Sequence, residues 1–297
     1  MDKKVPLIFA SGNFDSHFDQ VSIAHKHYAL TRELREPIVH IVLQHGALEY
    51  HRRHFELIEF LLNTFGDHAL VSCMDLPGHG MSGGSRMYID EFDSYCHDYV
   101  NFLSICDDFS KGRKREFHLI GHSLGGMITI KALSDFKESL PMVPKTLTLC
   151  NPCIRPTIGV PKRFVEFMEK PSLYLGKLRL PSPNSGKDLT NDRARAIAFD
   201  ADQLNSHFMT LRMGREIILA SYEMMNYAYF LDIPTLFLIS SLDKVVDPKS
   251  TELFAVAMGK SLAKTIVYPG AKHDLFNETC RAEVFREVSE FFTQKEL

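Results

Sequence analysis

No apolar run in this chain approaches the roughly 20 residues needed to cross a bilayer, which excludes a helical membrane span and leaves peripheral contact as the only expected relation to a membrane. The opening stretch MDKKVPLIFASGNFD carries two lysines, but its apolar run of about six residues is too short for the core of a secretory signal. Excess positive charge is also missing. Lysine and arginine number 34 against 37 aspartates and glutamates, a net charge of -3, so there is no field to gather nucleic acid, and polynucleotide substrates are set aside. Cysteine is sparse: six residues are scattered over 297, and four of them lie in or beside apolar runs. That pattern predicts buried free thiols in a reducing, cytoplasmic compartment rather than a disulfide framework. Only Cys150 and Cys153 make a CxxC, with no second pair to complete a metal site. Internal repeats and low-complexity tracts are absent, and the basic run KGRKR at 111–115 reads as a solvated connection before a strand.

What is present is alternation. Short apolar runs at 38–44, 69–75, 116–121, 145–151, 233–240 and 263–269 have strand length and punctuated ends. Between most of them apolar residues recur at helical spacing, as in Phe55, Ile58 and Leu62, or Phe92, Tyr95, Tyr99 and Phe102. Strand and helix in turn predict an α/β fold with a mostly parallel sheet covered by helices on both faces. The rhythm breaks once. Residues 154–228 show no strong strand, and they are expected to form an inserted helical cap between core segments 1–153 and 229–297. Five of the chain's twelve methionines (Met168, Met209, Met213, Met224, Met225) fall in this insertion with Phe164, Phe167, Phe208, Tyr222 and Tyr227. Two readings stand side by side: flexible thioethers and rings forming a lid over an apolar ligand, or ordinary helix packing.

The stretch FHLIGHSLGGM, residues 117–127, brackets a serine with Gly121 and Gly125 where a strand gives way to a helix. Gly-x-Ser-x-Gly in that setting is a nucleophile elbow, in which the serine takes a strained conformation and the glycines let strand and helix approach. A serine hydroxyl is a weak nucleophile at neutral pH and needs a base oriented by an acid. Asp243, in FLISSLDKVVDP, and His273, in VYPGAKHDLFNE, follow Ser123 in the chain order this architecture requires. Asp247 competes for the acid role. It directly precedes Pro248 and a helical pattern, however, so it reads as a helix N-cap, while Asp243 lies nearer the strand end. Fourteen histidines are available, and His273 stands out by sitting in a glycine-containing turn after the last expected strand. His122 neighbours the serine but points elsewhere from such a turn. No three of His45, His51, His54 and His79 share a ligand spacing with a carboxylate, so no metal is expected. An oxyanion needs preorganised donors; the architecture nominates the backbone N–H of Leu124 and, in the loop LQHGALEYHRRH, that of Ala47.

Together the segments HGALEYHRRHFELIEFL, DLPGHGMSGGSRMYIDEFDSYCHDYVNF, GHSLGG, SSLDKVVD and PGAKHDLFNE resemble the monoacylglycerol lipase and lysophospholipase group of serine α/β-hydrolases, in the group's order over most of residues 40–290. The resemblance implies Ser123 as acyl-forming nucleophile, His273 as general base then acid, Asp243 as its orienter, and Ala47 and Leu124 at the oxyanion positions. It implies hydrolysis of a carboxylic ester, on a monoacylglycerol or lysophospholipid, without cofactor or metal; any membrane contact is expected to be peripheral and through the cap. The segment Asp75–Ser82 is structural in that superfamily, and with no Gly-Lys-Ser it is no phosphate loop. The insertion departs from the group's pattern, and the first 35 residues match it weakly. A short-chain carboxylesterase, a thioesterase, a proline-type aminopeptidase and a hydrolase-like binding protein remain as alternatives.

Overall fold

In a computed structural model that describes residues 4–16 and 21–294, two antiparallel strands, β1 (Leu7–Asp15) and β2 (Ser22–Ala29), precede β3 (Ile38–Gln44). Then come α1 (Phe55–Phe65), β4 (Ala69–Met74), α2 (Phe92–Asp108), β5 (Arg115–His122), α3 (Leu124–Asp135) and β6 (Thr146–Cys150). The chain next leaves the sheet. It forms α4 (Lys162–Phe167), α5 (Glu169–Leu175), β7 (Arg179–Pro181), α6 (Gly186–Leu189), α7 (Arg193–Ala201), β8 (Phe208–Thr210), α8 (Leu211–Ser221) and α9 (Met224–Tyr227), and returns as β9 (Thr235–Ser240), α10 (Pro248–Met258), β10 (Ala263–Tyr268) and α11 (Arg281–Thr293). Lys3, one of the two lysines of the opening stretch, lies outside the described residues.

Eight strands make one sheet in the order β1-β2-β4-β3-β5-β6-β9-β10, parallel from β4 to β10. The pleat divides each strand between two cores. Ile41 and Leu43 of β3 and Leu236 and Leu238 of β9 pack with Leu57, Leu61, Val284 and Val288 from α1 and α11. The intervening Val42, Phe237 and Ile239 pack with Tyr95, Tyr99 and Phe102 of α2, Met127 of α3 and Phe254 of α10. Fully burying side chains of this size stabilises the fold by about 1.5–3 kcal/mol each before chain entropy is counted.

All six strands expected from apolar runs are present. The first two strands escape the apolar pattern, because the buried face of β2 carries His25 and His27, which disguise its period. Their polar atoms are satisfied internally. His25 Nδ1 lies 2.8 Å from His27 Nε2, and the Ser72 hydroxyl lies 2.6 Å from His27 Nδ1 and 2.7 Å from His40 Nε2. The excursion, expected to hold no strong strand, contains the short β7–β8 pair, in antiparallel register from Arg179 opposite Thr210. Its three-residue strands are too short to show a period of two.

The excursion leaves the core along a stitched path. The Cys153 N–H donates to the Ser123 carbonyl (2.9 Å), the Thr157 N–H to the Val245 carbonyl (3.0 Å), and the Asp247 N–H to the Arg155 carbonyl (2.8 Å). Because the central strands are parallel, the loops after β3, β5, β9 and β10 emerge at one edge, where ligands bind in open α/β sheets.

Candidate active site

Ser123 joins β5 to α3 with φ 52° and ψ -118°, a conformation that costs a non-glycine residue about 1–3 kcal/mol and persists only where its surroundings enforce it. Glycines supply the enforcement. A Cβ at Gly121 would stand 2.6 Å from the Gly126 Cα, and one at Gly125 would stand 2.4 Å from the Gln44 carbonyl oxygen and 2.5 Å from that of His45. Strand, helix and the loop after β3 therefore meet backbone to backbone. The Ser123 N–H donates to the Cys150 carbonyl (3.0 Å), and its own carbonyl accepts from Met127 and Cys153.

The turn after β10 brings His273 to the elbow, and the turn after β9 brings Asp243. His273 Nε2 lies 2.9 Å from Ser123 Oγ and His273 Nδ1 lies 2.7 Å from Asp243 Oδ2; all three residues are buried. A carboxylate only accepts, so Nδ1 carries the proton and Nε2 is left to accept from the serine hydroxyl. Asp243 Oδ1 is held in turn by the N–H groups of Val245 (2.7 Å) and Val246 (3.1 Å). The competing Asp247 caps α10, accepting from the Lys249 N–H with Pro248 in the first turn. Asn151, itself at φ 43°, donates to the His273 carbonyl (2.6 Å) and to Ser240 Oγ (2.8 Å), so it pins His273 from behind.

Leu124 opens α3, and the first N–H groups of a helix have no acceptor within it. Ala47 follows Gly46, whose Cα is so close to the elbow that a Cβ there would lie 3.0 Å from Ser123 Cβ. The loop is braced on its far side. His45 Nδ1 donates to the Gly46 carbonyl (2.7 Å), and His45 Nε2 accepts from the Leu76 N–H (3.0 Å). Burial keeps this imidazole below its ordinary pKa, as an accepting nitrogen requires.

Beneath the loop lies a charge cluster that sequence reading missed. Glu49 Oε1 accepts from the Gly46 N–H (2.8 Å), His122 Nδ1 (2.7 Å) and His54 Nε2 (3.1 Å). Arg53 Nε stands 3.3 Å from Glu49 Oε2, and Arg53 Nη2 pairs with Asp274. Burial acts to raise the Glu49 carboxyl, but the charges of His54 and His122 overcome it and hold the group well below the ordinary carboxylate range. Burial likewise acts to lower His122, and Glu49 reverses it, raising the imidazole. The abundance of His and Arg in HGALEYHRRH was the available signal. The partners at 122 and 274 are too distant in sequence to be connected from it.

Glu49, His54 and His122 place three potential ligand atoms within 4.8 Å of one another, as do His27, His40 and Cys106. The Arg53 guanidinium beside the first trio would repel an added cation. In the second, the Ser72 hydroxyl occupies the point that both imidazoles address. The remaining histidines considered as ligands have separate partners: His51 Nδ1 lies 2.6 Å from Asp75, and His79 Nδ1 donates to the Pro77 carbonyl. Asp75 also accepts from the Met81 N–H (2.9 Å), and the closeness of this turn explains Gly80, where φ is +45° and a Cβ would fall 2.3 Å from Asp75 Oδ2.

In the excursion, Met213, Met224 and Tyr227 are buried in the core with α2 and α3. These three pack as ordinary helix residues, with α8 against α2 and α9 against α3. Phe164 and Phe167, by contrast, are 53% and 72% exposed. An open, polar cleft of about 420 Å³ is lined by Tyr50, Arg52, Arg53, Arg195, Ala198, Asp202 and Asn277; Ser123, Asp243 and His273 are not part of its wall.

The family described as serine aminopeptidase, S33, matches residues 35–280. Phospholipase YtpA of Bacillus subtilis is 26% identical over 259 residues, spanning 87% of this chain and 96% of that protein. The monoglyceride lipase of Homo sapiens is 28% identical over 263 residues, spanning 86% and 82%. Among solved structures, a soluble variant of monoglyceride lipase from Saccharomyces cerevisiae in complex with a substrate analogue superposes with a TM-score of 0.82 at 18% identity, covering 100% of this chain and 98% of the other. A monoacylglycerol lipase from Paleococcus ferrophilus gives 0.76 at 18% identity, covering 91% and 97%. At such identities these structures speak for the fold, which is the α/β-hydrolase arrangement.

Proposed function

We propose, for a chain that belongs to the serine aminopeptidase S33 family of hydrolases, that it cleaves carboxylic esters of single-chain lipids, a monoacylglycerol or a lysophospholipid, through an acyl-enzyme. The observation that carries this reading is the unbroken relay from Ser123 Oγ to His273 Nε2 (2.9 Å) and from His273 Nδ1 to Asp243 (2.7 Å). Ser123 attacks the ester carbonyl as His273 takes its proton, and Asp243 stabilises the imidazolium. The N–H groups of Ala47 and Leu124 receive the oxyanion, a donor of this kind contributing about 10²–10³ in rate. His273 protonates the departing alcohol, then activates the water that releases the acyl group. The chemistry is complete with these groups and calls for neither cofactor nor metal.

The lipid substrate is supported by relatives that include a phospholipase and a monoglyceride lipase. We take residues 154–228 as a cap over the core formed by 1–153 and 229–297, and infer that its outer surface rests against the lipid phase. Phe164, Phe167, Leu173, Tyr174, Leu175 and Leu178 are all more than half exposed. They are interleaved with Lys162, Arg163, Lys170, Lys177 and Arg179, against only Glu166 and Glu169. Apolar groups among cations suit the interface of an anionic membrane, and no described helix is long and apolar enough to cross one. We assign the enzyme to the cytoplasm, which its free cysteines, five of them buried, support.

Rates on p-nitrophenyl esters from two to sixteen carbons, with a panel of lipid esters, test the proposal. Activity should rise with acyl length and persist on single-chain lipids. Peak activity at two carbons with none on long chains rejects the lipid substrate. A fluorophosphonate should label the wild type and spare Ser123→Ala, and labelling that survives the substitution rejects the nucleophile.

A further inference from the structure

The Glu49 carboxylate touches none of Ser123, His273 or Asp243, yet its partners are the immediate chain neighbours of the groups that do the chemistry. Gly46, whose N–H it accepts, precedes the oxyanion donor Ala47; His122, whose Nδ1 it accepts, precedes Ser123. Through Arg53 it is joined to Asp274, which follows His273. His54 completes the shell at 3.1 Å, and Asn277 Nδ2 holds Asp274 at 3.0 Å. We infer that Glu49 is a positioning residue: its carboxylate, with three donors on Oε1 and Arg53 beside Oε2, fixes the oxyanion loop against the elbow and the base, and so sets the geometry of the transition-state site. This rests on the roles of Ser123, His273, Ala47 and Leu124 proposed above.

The physical case is one of tolerance. Leu48, within the same loop, sits at φ 64°, a conformation a leucine holds only where its surroundings require it. Gly46 has no side chain to anchor it, since a Cβ would crowd Glu49 Oε1, Ser123 Cβ and His122 Nδ1 at 3.0–3.1 Å. The loop's hold on the elbow thus comes through the carboxylate. One oxygen receiving three donors can do this only while it is ionised and its donors are present, and misplacing a donor by about 1 Å costs on the order of 10² in rate.

The test separates transition-state from ground-state binding. Glu49→Gln and Glu49→Ala, with folding verified by circular dichroism, are assayed on a soluble p-nitrophenyl ester and titrated with an alkylboronic acid, which forms a tetrahedral adduct on the serine. Positioning predicts kcat lower by about 10- to 100-fold in Glu49→Gln and more in Glu49→Ala, with KM within about twofold. Boronate affinity should fall in step with kcat/KM. His122 supplies an independent pair: His122→Gln, which can still donate to Glu49, should stay within about threefold of wild-type kcat, and His122→Phe should not. The pair decides the matter alone if the Glu49 variants do not fold. If folded Glu49→Gln and His122→Phe turn over within twofold of wild type while Ser123→Ala is inactive, the positioning role is overturned and the triad stands. Activity in Ser123→Ala would sink both.

Discussion

Lowering the pH from 7.5 to 5.0 should cost this protein several kcal/mol of stability, and imidazoles rather than carboxylates should be responsible. His27, His79 and His118 are buried among apolar side chains and hydrogen-bonded as neutral groups. Burial, aided by neighbouring cations or imidazoles, takes each of them down to about 3. A group with a depressed native pKa that charges freely in the unfolded chain contributes stability above its unfolded value, near 6.5, and loses it as the pH falls. At pH 5.0 the difference is about 2 kcal/mol for each imidazole, or about 6 kcal/mol for three, from a total that for most proteins is 5–15 kcal/mol. His122 works in the opposite sense. Its raised pKa means that its pairing with Glu49 strengthens on acidification, whereas His25, His40 and His45, also lowered by burial, add to the loss, so we expect a net loss of at least about 4 kcal/mol. Glu49, Asp75 and Asp274 are held below the ordinary carboxylate range, and their contribution is lost only below about pH 4.5. Urea unfolding at half-unit intervals of pH measures the loss. His118→Gln, which removes one buried imidazole, should reduce it by about 2 kcal/mol. A stability that changes by less than about 1.5 kcal/mol between pH 7.5 and 5.0 would refute the assignment of these histidines as neutral and buried.

Gly125→Ala should destabilise the fold by about 1–3 kcal/mol and lower kcat by at least about 10², because its Cβ meets the Gln44 and His45 carbonyls at 2.4 and 2.5 Å; denaturation and ester assays on one preparation read both, and wild-type kcat contradicts the close approach. Asp243→Asn should preserve the fold but lower kcat by about 10⁴, since the amide leaves His273 in the wrong tautomer, and a loss under tenfold would count against this carboxylate as the orienter. Phe167 and Tyr174 are 72% and 89% exposed, so the double variant Phe167→Ser/Tyr174→Ser should melt like wild type and keep its rate on a soluble ester while cosedimenting less with anionic vesicles. Unchanged cosedimentation would remove this face of the cap from the membrane contact.

Residues whose physics is local were readable in the chain. The central parallel strands β3, β4, β6 and β9 announce themselves as apolar runs because both their faces are buried, and the glycines flanking Ser123 betray a close approach whatever else is known. Pro248 marked Asp247 as a cap and so left Asp243 for His273. Readability failed where burial was polar. Histidines on the inner face of β2 break the expected pattern, because their cost is met by Ser72 and by each other rather than by apolar packing. Glu49 and His122 lie 73 positions apart, and nothing in either local stretch points to the other. Within residues 154–228, Met213 and Phe167 differ in burial although both are large apolar residues in helical stretches, since the partner surface decides which face turns inward.

The first residues beyond β6 are sewn to the elbow through Cys153 and to the loop bearing Asp243 through Arg155 and Thr157. Exchange of chain beyond Thr157 therefore begins outside that seam. Further on, the excursion bonds back to the core at particular points, Leu189 accepting from the Asp274 N–H and the Ser206 N–H donating to the Leu48 carbonyl, so a lineage could vary the stretch between Thr157 and Leu189 while those returns keep the loops around Ser123 and His273 in register. An engineer grafting a foreign segment there would have one fixed seam at Thr157 and a second at Leu189 to respect.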